Sequence, residues 1–587
     1  MKNSNATIAE RLLLHSEKAP ESLAFRYLTS GDMEAESMTY GQLAKRALSL
    51  AAYLSETEPP GTHILLLLES GLSFIEALFG CMFAALIPIP VDLPRVRRPT
   101  GRLDFIVQHS SAPTFITSGK EIARIDDLTE AIPAMASLRR HIVDADRTTQ
   151  TDTVKFLPNE EMPAFIQYTS GSTSAPKGVV VAHKNLVCNQ QQIQKAFGHG
   201  AHTKFAGWLP MFHDMGLVGN VLQPVYLGVE CSLMPPAAFI QRPSRWLRMI
   251  SKYRSTTSGG PNFAFDHCVD RISESDIDSF DLSSWQVAFN GAEPIRERTI
   301  REFVQKFRRS GFSATSFLPC YGLAEATLFV AGQTRYNSAA PTTLSVLRSD
   351  LEDGVLKKTG VVDPKKRVIL TASGPPAENQ VIAIVDADSG KECRAGHIGE
   401  IWLAGPNVAE KYLSNAGEVR QLLSGELSSA ASTFLRTGDL GAMWNGELFV
   451  VGRIKNLIII RGRNIHAEDI EQLVSHSHSL FQANRCAAFS TETIDGEERL
   501  VVVQEIARRP RDTDEVRSAA AYARQLIIRN TDVAPHDILI VRPGTIPTTS
   551  SGKIRHADTR TAYAQGLIAD VASVERAVVA NSDQLGK

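Results

Sequence analysis

A chain of 587 residues, 43% apolar and 21% charged, is too long for one hydrophobic core and has the composition of a protein with at least two folded domains. Its 62 basic residues nearly cancel its 64 acidic ones, for a net charge of −2, so no global field recruits nucleic acid or an anionic membrane and an anionic ligand must be met locally. The seven cysteines are odd in number and lack metal-ligand spacing, which excludes a disulfide framework and points to the reducing cytoplasm, and Met1 to Asn5 lead into a polar helix rather than a signal segment.

In chain order, Thr39 and Gln42 form a capping box ahead of apolar residues at helical spacing from Leu43 to Leu54. The most apolar region, Ile64 to Val91, contains Glu69, Glu76, Pro88 and Pro90, and reads as strand, helix and strand rather than a membrane span. Further strands are predicted at Thr114 to Thr117, Ala164 to Tyr168 and Val179 to Val181, separated by helix-length segments. The alternation predicts an α/β fold, mainly parallel and doubly wound, in which ligands sit beyond the carboxyl ends of strands.

Between the last two of those strands lies a stretch suited to polyphosphate. Thr169, Ser170, Ser172 and Thr173 supply hydroxyls, Gly171 allows close backbone approach, and Lys177 adds a cation, although the spacing is not that of a Walker loop. Taken alone it could be a polar surface hairpin. Farther on, Trp208 to Leu217 places His213 and Asp214 among apolar residues, Asn290-Gly291-Ala292-Glu293-Pro294 follows a strand at Gln286 to Phe289, and Tyr321-Gly322-Leu323-Ala324-Glu325 opens a helix. Singly, these are equally an interior histidine, a turn and a tight strand-to-helix connection.

Together with Arg436-Thr437-Gly438-Asp439, Gly452-Arg453-Ile454-Lys455 and Ser551-Gly552-Lys553, these stretches stand in the order of the adenylate-forming superfamily, which the chain resembles from about Tyr40 to Arg555. The resemblance implies a large N-terminal domain with doubly wound sheets over residues 1–452, a hinge at 453–456 turning on Lys455, and a small mobile α+β domain over 457–587, with a tail after about residue 570. Asn456 stands where many relatives carry Asp. The sequence beyond the hinge agrees on its own terms, with strands at Leu457 to Ile460, Ala487 to Phe489, Leu500 to Val503 and Ile538 to Val541, and helices at Ala467 to His476 and Glu515 to Asn530.

The implied chemistry is attack of a carboxylate on the α-phosphate of ATP, giving acyl-AMP and pyrophosphate, by positioning and charge neutralisation without an enzyme nucleophile. Carried over residue by residue, Thr169 to Thr173 and Lys177 hold the β- and γ-phosphates and Glu325 positions Mg²⁺. Asn290 to Glu293 and Tyr321 to Leu323 flank adenine, Asp439 takes the ribose diol with Arg453 nearby, and Lys553 carries a cation to the developing charge. His213 joins the catalytic set.

Three features resemble the fatty acyl-AMP ligase branch. They are the proline-rich segment Pro88 to Arg95, the stretches Trp208 to Gly219 and Ser258 to Phe263, and an insertion at about 333–371 that reads as a hairpin of Leu344 to Leu347 with Arg367 to Leu370. Met211, Met234, Phe239, Trp246 and Phe263 offer apolar walls for an alkyl chain. The partners this branch implies are a fatty acid and the phosphopantetheine of an acyl carrier protein or of a carrier domain in a polyketide or peptide synthase. An acyl-CoA synthetase, a catalytically silent nucleotide-binding module and a phosphate-loop ATPase are the alternatives.

Overall fold

The computed structural model describes residues 6–32, 36–94, 101–145, 156–169, 176–335, 339–363, 366–414, 419–421, 425–427, 433–460, 463–492, 498–531, 533–549 and 552–571. The Thr39 capping box is present: its hydroxyl accepts from Gln42 N at 3.2 Å and Gln42 Oε1 accepts from Thr39 N at 3.0 Å. It starts the helix Tyr40–Thr57, which packs on the almost wholly buried helix Leu72–Phe83. The strands flanking the second helix, His63–Leu66 and Ile87–Pro90, run parallel with Ile64 opposite Pro88. Two prolines fit there because Ile87–Pro90 is the edge of its sheet, followed inward by His63–Leu66, Thr114–Thr117 and Arg139–Ile142, all parallel. Among the described residues no helix is long and apolar enough to cross a membrane.

An eight-stranded sheet carries most of the site. Its order is Phe329–Gly332, Phe317–Gly322, Val287–Asn290, Thr257–Gly260, Phe205–Gly207, Cys231–Leu233, Leu23–Tyr27 and Glu36–Thr39, with parallel inner pairs and antiparallel outer ones. The doubly wound expectation holds for these two sheets. It fails at the Thr169–Lys177 loop, because Pro163–Tyr168 and Gly178–Ala182 pair antiparallel in a third sheet. The reason is length: a parallel return needs a crossover of about a dozen residues or more, and this connection is shorter. Tyr321 likewise ends a strand, and only one 3₁₀ turn, Ala324–Ala326, follows it instead of a longer helix.

The insertion folds as a hairpin, Thr343–Leu347 with Arg367–Thr371, pairing Leu344 with Leu370. Strand Glu447–Arg453 then ends in the 3₁₀ turn Ile454–Asn456, after which a second core begins. There the helices Ala467–Ser475 and Thr513–Thr531 cover a sheet of Phe481–Glu492, Glu498–Ile506 and Asp537–Val541. The tail from residue 572 lies outside the described residues.

Candidate active site

The carboxyl ends of the eight-stranded sheet and the second core close on one cavity of about 430 Å³. On one side, Gly291 to Pro294 leave the strand Val287–Asn290 as a loop in which Ala292 takes φ +74°, a left-handed conformation costly for a residue with a Cβ. Tyr321 donates its hydroxyl proton to Asp439 Oδ2 at 2.6 Å, while Arg453 Nε stands 2.6 Å from the other oxygen. That triad is assembled by the antiparallel register that sets Asp439 opposite Arg453. Arg436, from the same stretch as Asp439, points elsewhere and pairs with Glu400 at 2.9 Å, bracing the strand. Glu325 is projected by a tight loop. A Cβ on Gly322 would meet Leu328 O at 1.8 Å, and Thr327 adopts φ +67° with its hydroxyl donated to Asn407 O. Burial pushes the Glu325 carboxyl above its ordinary range, against a 2.9 Å hydrogen bond from Tyr412 OH.

Lys553 reaches the opposite wall from the second core. Its loop is closed by Thr549, whose N–H donates to Lys553 O at 2.7 Å and whose hydroxyl accepts from Lys553 N at 3.0 Å. Gly552 turns at φ +85° against Phe263, whose ring would lie 3.4 Å from an added Cβ. Burial, then the Arg453 charge, holds the ammonium below an ordinary lysine, opposed by Asp214, Glu293 and Asp439. His213 Nδ1 lies 2.5 Å from Asp214 Oδ1. Although burial opposes it, that neighbour and Lys553 keep the Asp214 carboxyl below its usual range. The turn that presents the pair needs Gly216, since a Cβ there would meet Pro210 O at 2.0 Å. A carboxylate ligand in this corner would meet His213 and Lys553 together.

The profile of AMP-binding enzymes matches residues 14–413, more than half of the chain. The chain belongs to the AMP-binding enzyme family. It is 36% identical over 573 residues to the medium-chain-fatty-acid acyl-carrier-protein ligase JamA of Moorena producens, covering 96% of both chains. It is 35% identical to the corresponding ligase TtuA of Teredinibacter turnerae, covering 96% of this chain and 94% of that one. The solved fatty acyl-adenylate ligase of L. pneumophila, in complex with acyl adenylate and pyrophosphate, superposes with a TM-score of 0.73 at 35% identity, covering 94% and 95% of the two chains.

Of the residues read from the sequence in this family pattern, Thr169, Lys177, His213, Gly291, Ala292, Glu293, Tyr321, Gly322, Leu323, Glu325, Asp439, Arg453, Lys455 and Lys553 all line the cavity. Ser170, Gly171, Ser172 and Thr173 lie outside the described residues. Thr169 and Lys177 close their hairpin, Thr169 N donating to Lys177 O at 2.9 Å. Asn290 is wholly buried behind the cavity wall, its amide donating to Asn262 Oδ1 at 3.1 Å, so it braces the loop rather than lining the cavity as expected. The apolar-wall expectation needs correction. Only Phe263 of the five lines the cavity, whereas Met211, Met234, Phe239 and Trp246 are core, with Phe239 stacked on Trp208 at 4.0 Å. The apolar walls are instead Ile193, Phe197, Phe205, Phe289, Leu328 and Phe329.

Three functional candidates escaped the sequence reading. Tyr412 bonds Glu325 and lies under Lys177, whose Nζ is 5.1 Å from the ring centroid. Arg102 donates to Thr169 O at 3.3 Å, adding a cation at the hairpin. Asn484 crosses from the second core to donate to Asp266 Oδ2 at 3.1 Å. None belongs to a local motif, so only the fold brings them in.

Proposed function

We propose that the chain activates a fatty acid with ATP to acyl-AMP and then passes the acyl group to the phosphopantetheine thiol of a carrier protein. The observation that carries this reading is that Lys553, from the second core, lines the same cavity as Asp214, Glu325 and Asp439. In the first step a carboxylate oxygen bonds to the α-phosphorus of ATP and the bond to the bridging oxygen breaks, so pyrophosphate leaves. Lys553 brings a positive charge to the oxygens that crowd together there, and His213 orients the carboxylate. Tyr321, Asp439 and Arg453 hold the nucleoside, while Lys177 and Arg102 meet the outer phosphates. In the second step the carrier thiolate attacks the acyl carbonyl and AMP leaves.

Mg²⁺ suits Glu325, because a buried carboxyl whose proton affinity burial has raised regains its charged form beside a divalent cation. When bound, the ion would neutralise phosphate oxygens; Glu325 orients toward them through Tyr412. The hinge at Lys455 would let the second core withdraw Lys553 after adenylation. The seven cysteines fit a cytoplasmic enzyme. The reading is tested by fatty-acid-dependent pyrophosphate release, with free CoA and a phosphopantetheinylated carrier offered as rival acceptors. Pyrophosphate release that ignores fatty acid, or acyl-CoA formation as fast as adenylation, would refute it.

A further inference from the structure

The geometry points to His199 as the floor of the acyl cavity and to medium-length, unsubstituted alkyl chains as the substrates it measures; this rests on the fatty-acid reading above. The strand Thr257–Gly260 gives the depth. Past its carboxyl end, Phe263 stands against Gly552 of the Lys553 loop, while Thr257, at its start, also lines the cavity. Four residues at ~3.3 Å each separate those ends by about 13 Å. An extended chain advances by roughly 1.3 Å per carbon–carbon bond, so about ten carbons fill the distance.

His199 sits at the Thr257 end because the helix His183–Phe197 stops at Gly198 in the left-handed conformation, φ +63°. Its ring is caught between Phe197 and Phe205, at centroid distances of 5.5 and 5.0 Å. Nδ1 lies 3.4 Å from the Gln223 amide nitrogen, which can only donate, so Nε2 carries the proton and gives it to Thr257 Oγ1 at 3.1 Å. Both ring nitrogens are thus occupied by protein partners, and burial pushes the ring pKa down to about 3, so the floor is neutral at working pH. The cavity therefore offers a terminal methyl a neutral surface, and a terminal carboxylate or ammonium no partner.

The test is pyrophosphate release by the full chain across straight saturated acids of graded length, with an ω-carboxyl analogue alongside. For the wild type, kcat/KM should peak near about ten carbons and fall roughly tenfold or more for chains about four carbons longer, and for the ω-carboxyl analogue. His199→Ala should move the peak to longer acids. Gly219→Leu should move it to shorter ones, because an added Cβ there meets only Leu328 Cδ2 at 3.9 Å and the rest of the side chain enters the cavity. If thermal melting shows His199→Ala to be unfolded, the Gly219→Leu profile decides. An unshifted peak in a folded variant, or equal wild-type rates on long and medium acids, overturns the floor assignment alone. Absence of release with every fatty acid overturns the fatty-acid reading and the floor with it.

Discussion

Lys553 concentrates the residue-scale consequences, since it is a loop side chain whose removal costs the cores little. Lys553→Ala should lower acyl-AMP formation by roughly a hundredfold or more, measured as pyrophosphate release, while its thermal midpoint stays near that of the wild type. Glu325→Gln keeps the shape and the bond from Tyr412 but removes the charge. Its rate should fall and the Mg²⁺ concentration for half-maximal rate should rise, and an unchanged Mg²⁺ titration would remove Glu325 from the metal role. Three residues beyond Lys553, His556 Nε2 lies 2.5 Å from Glu471 Oε1. Burial works against its charge, but Glu471 overcomes that and raises the pKa to about 9. A base raised in the folded state stabilises fully below its ordinary value of 6.5 and loses that contribution as pH rises through about 9. The melting temperature of the wild type should therefore exceed that of His556→Gln most near pH 6, and the gap should shrink through pH 9.

At the scale of elements, two of the contacts between the cores carry predictions. Asn484 interrupts the strand Phe481–Glu492 at a register shift and takes φ +58°, which aims its amide at Asp266 and at Arg296, whose guanidinium donates to it. Asn484→Ala and Asn484→Gly should both slow adenylation by roughly tenfold while leaving acyl transfer from supplied acyl-AMP unchanged; recovery in the glycine variant would trace the effect to backbone strain instead. The second contact is the insertion. Leu344, Val346 and Leu351 pack with Leu440, Phe449 and Val451, with Ile454 and Leu457 against the same cluster, and Arg348 stands 3.5 Å from Asp469. A bias of about 1.4 kcal/mol between two poses changes their ratio tenfold. Shortening the segment within 333–371 should keep adenylation but let some acyl-CoA form when CoA is offered, seen by chromatography of the products.

For the whole molecule, these contacts describe a chain in which Lys553 and most of the cavity walls belong to different cores. The first core, shared by the eight-stranded sheet and its helices, holds most of the cavity walls. The second has its own apolar centre, with Ile470, Val474, Val502 and Ile527 buried, and meets the first through polar groups such as Asn484, Arg296 and Asp469 beside the apolar cluster that includes Leu457. Interfaces that rely partly on polar groups resemble those between transient partners, which suits the withdrawal of Lys553 proposed above.

The sequence by itself determined what short-range chemistry dictates. Thr39 caps a helix because its partner is three residues away, Ile64 to Val91 reads as strand, helix and strand, and Tyr321, Glu325, Asp439 and Lys553 stand in short glycine-containing stretches recognisable without the fold. The insertion hairpin was legible because its alternation is local. Only the tertiary structure decided which apolar residues are wall and which are core: Phe289 faces the cavity and Phe239 does not, yet both are buried aromatic residues with the same transfer free energy. It alone joined Tyr412 to Glu325, 87 residues apart, and His199 to Thr257, 58 apart, since a contact between elements distant in sequence leaves no periodicity in either segment. The antiparallel return at Thr169 to Lys177 was hidden for a related reason: a strand's side-chain pattern reports burial, and pairing direction follows from what its neighbours and its connection length allow.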